Sequence, residues 1–156
     1  MSPPAQRLRN WLDHHGVDAE MLTFEASVQS VEEAVTVSGH PVEHFTKSIV
    51  MVDGDGRPII AVVPADSRAS TERVRKALDL AERPRVADAA ETEALLGQQV
   101  GGNSPLNAGA ATVLVDPKVL ERDWILTGGG DPRTLVRISI AELRRVVRFT
   151  EVRVRK

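Results

Sequence analysis

Several residue types are absent or scarce, and each absence excludes a kind of chemistry. The chain of 156 residues has no cysteine, which excludes disulfides and thiolate catalysis and fits a reducing compartment. It has no tyrosine and only three phenylalanines and two tryptophans, so an aromatic platform for single-stranded nucleic acid is not expected. No apolar run approaches the roughly 18 residues that span a bilayer, and the first residues lack a signal peptide's apolar centre. We therefore expect a cytoplasmic protein with no membrane partner.

A strong excess of one charge is also missing. The chain carries 20 basic and 22 acidic side chains, for a net charge of −2. This balance argues against bulk coating of nucleic acid but permits a local grip on one nucleic-acid end. Hydrophobic residues at 42% and charged residues at 27% are typical of a globular protein. At this length we expect one domain, residues 1–156, with a hydrophobic core.

The motifs of common catalytic classes are missing too. His40 and His44 are four residues apart, but a proline lies between them and no further ligand is near, so no catalytic metal is expected. There is no G-x-S-x-G nucleophile elbow, and no His/Asp spacing serves the available hydroxyls of Ser48, Ser104 and Thr127. Neither P-loop nor G-x-G-x-x-G spacing occurs, so no nucleotide cofactor is expected.

Hydrophobic periodicity and turn residues predict the order α-β-α-β-β-α-β-α-β-β-β-α-β. Helices are predicted over 4–16, 30–39, 70–82, 88–97 and 139–147. Each of the last four begins at an N-cap residue. Ser70 is a simple cap, and the other three starts are predicted capping boxes, formed by Ser30/Glu33, Asp88/Glu91 and Ser139/Glu142. In the third helix, Val74, Ala77 and Leu78 are expected to point inward.

Two nearly continuous apolar runs, 49–52 and 59–63, flank the hairpin signal "DGDG". Runs of this kind predict strands that are covered on both faces. Hairpins mixed with helical crossovers favour an α+β or mixed α/β fold with a largely antiparallel or mixed sheet flanked by helices. The closing "EVRVRK" alternates and predicts an exposed edge strand protected by charges.

Two glycine-rich segments, "VGGNSP" at 100–105 and "TGGGDP" at 127–132, stand out. Consecutive glycines allow close approach to the main chain, and successive amides can form a nest for an oxyanion or a polarised carbonyl. The second segment alone is typical of a hairpin turn. The stretch 98–109 is longer and more polar than a minimal connection needs, which favours a binding role. Ser104, just before Pro105, is expected to hold this loop through its hydroxyl.

Lys47 opens the apolar strand in "HFTKSIVMV". Its ammonium group lies either in solvent at the mouth of the strand or in a site where it pins a phosphate or a developing negative charge.

Lys47 at the head of a strand, followed by "QQVGGNSPL" and then by "ILTGGG", resembles the YbaK/prolyl-tRNA-synthetase-associated domain family of trans-acting aminoacyl-tRNA deacylases. The resemblance covers residues 29–152 and includes the order of elements. It implies hydrolysis of the ester between a wrongly attached amino acid and the terminal ribose of a tRNA, commonly tRNA for proline. Metal and protein nucleophile are not implied, since water attacks with help from a ribose hydroxyl of the substrate.

The resemblance also implies a site. Lys47 would hold the phosphate of the terminal adenosine, while the loop of Gly101, Gly102, Ser104 and Pro105 would bind and polarise the ester through backbone amides. Asn103 and Gly130 would also bind the substrate, and Thr127, Gly128 and Gly129 would line the other side of the aminoacyl pocket. The implied partners are the 3′ end of an aminoacyl-tRNA and a prolyl-tRNA synthetase.

Two other functions stay open: a non-catalytic binder of tRNA ends or of a synthetase, and a small-molecule module whose glycine turns cradle phosphate. Also open are the amino acid, the oligomeric state and any role of Asp131. The basic residues near the third predicted helix form either a solvated face or a contact with the acceptor backbone: Arg68, Arg73, Arg75, Lys76, Arg83 and Arg85.

Overall fold

The computed structural model describes residues 1–156 and has the predicted order of elements. The helices are α1 (Pro3–His14), α2 (Val31–Ser38), α3 (Thr71–Leu78), α4 (Ala89–Leu96) and α5 (Ile140–Val146). The strands are β1 (Ala19–Thr23), β2 (Thr46–Val52), β3 (Pro58–Pro64), β4 (Arg85–Val86), β5 (Thr112–Val115), β6 (Trp124–Gly128), β7 (Thr134–Ser139) and β8 (Thr150–Glu151). Short 3₁₀ turns cover Val42–His44 and Val119–Glu121. No helix is both long enough and apolar enough to cross a bilayer.

The helix starts follow from local side-chain chemistry. Each predicted cap accepts a hydrogen bond from the amide three residues on, as expected for Ser30, Ser70, Asp88 and Ser139. Of the three predicted capping boxes, only the one at Asp88 and Glu91 is complete. The Glu142 carboxylate instead accepts from the amide of Asp18 (2.8 Å) and pairs with Arg145, because the start of β1 lies beside this helix.

The strands form two sheets where the sequence predicted one. The first is antiparallel with order β1-β7-β6, and the second has order β4-β2-β3-β5-β8. In the second sheet β3, β5 and β8 run parallel to one another, so the predicted mixed sheet is confirmed. An isolated parallel bridge between Phe45 and Leu126 joins the sheets, and the Thr46 hydroxyl donates to the Leu126 carbonyl (2.9 Å). This junction brings β2 next to β6.

Strands β2 and β3 are covered on both faces, as predicted. Val50, Val52, Ile60 and Val62 belong to the largest apolar cluster, while Met51, Ile59, Ala61 and Val63 belong to a second one. Alternate residues of a strand point to opposite faces, so these two clusters lie on opposite sides of the sheet. A third cluster contains Val28, Ala34, Phe45, Ala65, Leu126 and Leu135.

Helix α3 is shorter than predicted, and Ala77 is exposed rather than inward. The helix ends at Leu78 because Asp79 adopts a left-handed conformation (φ 53°). Val74 is fully buried, and Leu78 packs against the second cluster as expected. One inward residue per turn is enough here, since a single side of this short helix meets the sheet.

The C-terminal tail, residues 152–156, leaves the ladder after the two residues of β8, and Val154 is fully buried, so the exposed edge strand predicted over 151–156 does not extend beyond Glu151. The buried carboxylate of Asp116 binds this tail. That carboxylate accepts from the amides of Val154 and Arg155 (3.0 Å each) and from the Arg155 guanidinium (2.7 Å). Burial alone would raise the pKa of Asp116, but hydrogen bonds from the amides of Arg155, Lys118 and Val154 and from the guanidinium outweigh it and lower the pKa.

Replacing Asp116 with asparagine is expected to lower the free energy of unfolding at pH 7 by about 2–4 kcal/mol, because one buried charge-assisted partner is lost. Because the pKa of this carboxyl is lower in the folded than in the unfolded chain, its contribution is present above the unfolded value and is lost as pH falls below about 4. Denaturant unfolding at pH 7 and pH 3 measures both effects, with the exposed Asp66→Asn as the control. Equal stability of wild type and Asp116→Asn at pH 7 would refute this account of the tail.

Candidate active site

A cleft of about 390 Å³ opens where β2 meets the two glycine-rich loops. Its buried end is lined by apolar side chains of the third cluster, including Phe45, Ala65 and Leu135. Its polar lining residues include Lys47, Ser48 and Asn103. A mostly apolar concavity with a few polar groups is the usual form of a small-ligand site.

A second cleft, of about 550 Å³, lies between the 105–113 segment and residues 146–150. Pro105 lines it together with Trp11 and Phe149, so this predicted site residue does not reach the first cleft. None of the buried polar atoms without a hydrogen-bond partner belongs to a residue of the second cleft. The first cleft contains two such residues as well as Lys47, and it is therefore the candidate site.

Lys47 is half-buried on β2, where its register partner on β3 is Val63. Its ammonium group has no carboxylate within 4.0 Å and makes no hydrogen bond within the protein. None of the 16 residues that line the cleft is acidic. An uncompensated cation in a concave site attracts an anion, and a lysine serves a phosphate as a point charge.

The two glycine-rich loops pack directly against each other. The amide of Gly130 donates to the Gly102 carbonyl (2.8 Å), and the amide of Gln99 donates to the Gly130 carbonyl (2.9 Å). A Cβ added at Gly102 would lie 2.4 Å from the backbone nitrogen of Asp131, and one at Gly128 would lie 2.3 Å from the carbonyl oxygen of Asn103. At these two positions glycine is required so that the loops can approach each other.

The amides of the first loop have different roles. The Gly102 amide donates to the Gln99 carbonyl (2.9 Å), which corrects the prediction that it faces the ester. The amides of Gly101 and Asn103 donate to no acceptor within the protein, and both residues line the cleft. Gly101 has a positive φ (93°), a conformation that favours glycine, and lies in the turn that precedes Asn103. Gly101 and Asn103 are therefore free donors at this site, and the amide of Val100, another lining residue, is free as well.

Gln98 holds the loop from within, a role that no motif in the sequence indicates. Its buried amide nitrogen donates to the carbonyls of Ser104 (3.1 Å) and Leu106 (3.2 Å), and its oxygen accepts from the Ser104 amide (2.9 Å). The Ser104 hydroxyl accepts from the Leu106 amide (3.0 Å), as expected for a loop-holding serine. Ser104 is fully buried and does not line the cleft.

The second loop contributes less to the cleft than predicted. Only Gly128 lines it, whereas Thr127, Gly129 and Gly130 are buried behind it. The Gly129 amide donates to the Thr134 carbonyl (2.8 Å), which closes the turn.

Asp131 organises this second turn. Its carboxylate accepts from the Ser2 hydroxyl, the Arg133 amide (2.8 Å) and the Thr134 hydroxyl (2.9 Å). Burial would raise the pKa of Asp131, but these three hydrogen bonds outweigh it and lower the pKa. Its bonds tie the start of α1 to the turn, so the carboxylate serves the scaffold.

Comparison with known families settles what kind of domain this is. A model of the aminoacyl-tRNA editing domain matches residues 25–146, which include the whole cleft. The chain belongs to the aminoacyl-tRNA editing domain family. The resemblance found in the sequence is thus confirmed, and aminoacyl-tRNA is the class of substrate with which such a domain interacts.

Solved structures share the fold of this editing domain. A candidate trans-editing enzyme for prolyl-tRNA synthetase matches with a TM-score of 0.89 and 23% identity, covering 100% of this chain and 99% of the other. A scaffold from a computational epitope-grafting study matches with a TM-score of 0.88 and 21% identity, covering 100% of this chain and 99% of the other. A hypothetical protein matches with a TM-score of 0.86 and 24% identity, covering 96% of this chain and 99% of the other. At these identities the likeness establishes the fold, and the predicted fold class is confirmed. No curated protein matches the chain significantly.

The basic residues near α3 of the editing domain fall into two groups. Glu72 pairs with Arg75 (2.5 Å) and Arg83 (2.7 Å), and Glu91 pairs with Arg85 (2.5 Å). Hydrogen bonds from Arg75 and then Arg83 lower the pKa of Glu72 to about 2, so this pairing persists at neutral pH. The cations without a carboxylate partner are Arg68, Arg73 and Lys76. These three cations have no carboxylate partner that would compete with a phosphate.

Proposed function

We propose that residues 1–156 act as one editing domain that hydrolyses, in trans, the ester of a mischarged tRNA carrying a small amino acid, with tRNA for proline as the tRNA. The protein acts in the cytoplasm, where aminoacyl-tRNA is used. The observation that carries this proposal is the meeting of one unpaired ammonium group, Lys47, with two free backbone amides, Gly101 and Asn103, in one cleft.

Lys47 binds the phosphate of the terminal nucleotide in this proposal. The absence of any acidic residue from the cleft lining supports this role for Lys47, because a carboxylate would compete with the phosphate for its ammonium group. The same point charge fixes the substrate's end relative to the loop 98–109.

The amides of Gly101 and Asn103 donate to the carbonyl oxygen of the ester as it becomes negative. Water adds to the carbonyl carbon, the bond from that carbon to the ribose oxygen breaks, and the proton from water passes to the ribose oxygen. A ribose hydroxyl of the substrate orients the water. Catalysis then rests on positioning and on preorganised donors, where one such donor is typically worth ~10²–10³ in rate.

The buried end of the cleft receives the amino-acid side chain. Ala34, Phe45, Ala65 and Leu135 line it, and the whole cleft measures about 390 Å³. This room must also hold the ribose, which supports a small side chain. Prolyl-tRNA synthetase is the proposed partner, on the strength of the structural neighbour described as its candidate trans-editing enzyme.

The test is a hydrolysis panel of cysteinyl-, alanyl- and seryl-tRNA for proline, with correctly charged prolyl-tRNA as the control. We expect one mischarged species to lose its amino acid rapidly while prolyl-tRNA persists. Tight binding of these tRNAs by folded protein without any hydrolysis would instead identify a non-catalytic binder and overturn the proposal.

A further inference from the structure

Three buried side-chain atoms have no hydrogen-bond partner: Ser48 Oγ, Asn103 Oδ1 and Thr127 Oγ1. A buried polar atom without a partner is destabilising and calls for an explanation, of which a missing ligand is one. Ser48 and Asn103 line the candidate cleft, and Ser48 is only 6% exposed. Two of the three atoms therefore belong to the site.

The chemistry of these atoms selects the ligand group. Asn103 Oδ1 can only accept a hydrogen bond, and the Ser48 hydroxyl can accept as well as donate. The strongest donor in an aminoacyl ester is its α-ammonium group. No lining residue is acidic, so neutral oxygens are the acceptors that the cleft offers to this cation.

Asn103 is also in the right place relative to the ester. The carbonyl carbon of an aminoacyl ester is bonded directly to the carbon that carries the ammonium group. Groups that bind the ester oxygen and the ammonium must therefore lie close together. Asn103 supplies both, with a free amide and a side-chain oxygen, and its main chain is fixed against Gly128. Lys47 and Ser48 are successive residues of β2, so their side chains point to opposite faces of the strand. A substrate α-ammonium group bound at Ser48 is therefore kept apart from the positive charge of Lys47.

We propose that Asn103 and Ser48 form a subsite for the free α-ammonium group of the substrate. This inference rests on the proposed deacylase function and adds a rule of selection. Esters with a free amine are accepted, and esters whose amine is acylated or replaced, including peptidyl-tRNA, are rejected.

The first experiment uses the panel member that wild type hydrolyses fastest, its N-acetyl derivative and its α-hydroxyacyl counterpart; for alanine these are alanyl-, N-acetylalanyl- and lactyl-tRNA. We expect the aminoacyl ester to react about 10- to 100-fold faster than either derivative, as for loss of a hydrogen bond to a charged group. Equal rates would overturn the subsite and leave the deacylase function intact. Hydrolysis of no panel member would overturn the proposed function, and the subsite with it.

The second experiment asks whether Asn103 carries the discrimination. Asn103→Ala is expected to lower the ratio of aminoacyl to hydroxyacyl hydrolysis about 10- to 100-fold, since the backbone amide remains and only the side-chain acceptor is lost. Asn103→Asp, which keeps an acceptor there, should retain the preference for the free amine. An equal loss on both esters in Asn103→Ala would show that the side chain acts on the loop and not on the ammonium group.

Ser48 offers a readout that a structural role would not produce. Ser48→Ala removes a buried hydroxyl without a partner, so we expect its Tm to rise while the ratio of aminoacyl to hydroxyacyl hydrolysis falls. Ser67→Ala, a serine outside the cleft, is the matched control. A lower Tm with unchanged discrimination would remove Ser48 from the subsite.

Discussion

Replacing Gly102 with alanine is expected to lower the free energy of unfolding by about 2–4 kcal/mol and to reduce ester hydrolysis more than ~100-fold. The added Cβ would lie 2.4 Å from both the backbone nitrogen and the carbonyl oxygen of Asp131. That backbone cannot withdraw easily, because the adjacent Gly130 is hydrogen-bonded to Gly102 and to Gln99. The loops would separate, and the amides of Gly101 and Asn103 would lose their position.

Gly54→Ala is the matched control for this substitution. Its added Cβ would meet only the side chain of Glu82, whose exposed carboxylate can rotate away. Denaturant unfolding and deacylation should both remain close to wild type in Gly54→Ala. If Gly102→Ala were as stable and as active as Gly54→Ala, the loop junction would not be what positions the site.

Lys47→Ala is expected to reduce deacylation about 10²-fold at low salt with little change in Tm. The ammonium group has no partner within the protein, so its removal leaves no buried charge uncompensated. The loss instead falls on the contact with the substrate. If that contact is to a phosphate, the slope of log activity against log salt should decrease by about 0.7–0.9.

Lys47→Arg keeps the charge and should recover part of the activity, while Lys118→Ala, at an exposed lysine outside the cleft, should behave like wild type. Rates are measured from 50 to 300 mM salt under subsaturating substrate. A Lys47→Ala protein with full activity and an unchanged salt slope would exclude the lysine from substrate binding.

Most helix starts and hairpins could be predicted because their causes are local. Ser30, Ser70, Asp88 and Ser139 each bind an amide three residues away, and the turn at Asp53 is closed by its own carboxylate, which accepts from the amides of Asp55 and Arg57 (2.9 Å each). Such bonds need no information from the rest of the chain. Ala77 is exposed although its spacing predicts an inward position, because only the side of α3 that carries Val74 and Leu78 meets the sheet, and the width of that contact is a tertiary property.

The candidate site was only partly predictable. Lys47, Gly101, Asn103 and Gly128 do line one cleft, as the motifs suggested. The pattern could not reveal which amides are free, since Gly102 is occupied by a neighbour in its own loop. It also could not reveal Gln98 or the buried oxygen of Asn103, because polar side chains in loops look alike in sequence whether they face solvent, backbone or ligand.

By itself, then, the sequence determined the elements, their order, their caps and the family, since these depend on short-range bonds and on motifs read along the chain. The tertiary structure decided the division into two sheets, the bridge between Phe45 and Leu126, and the mutual contact of the two glycine loops. It also decided that Pro105 faces a different cleft from Lys47. Each of these features depends on close packing between residues far apart in the chain, and close packing is set by distances of a few ångströms that no local pattern encodes.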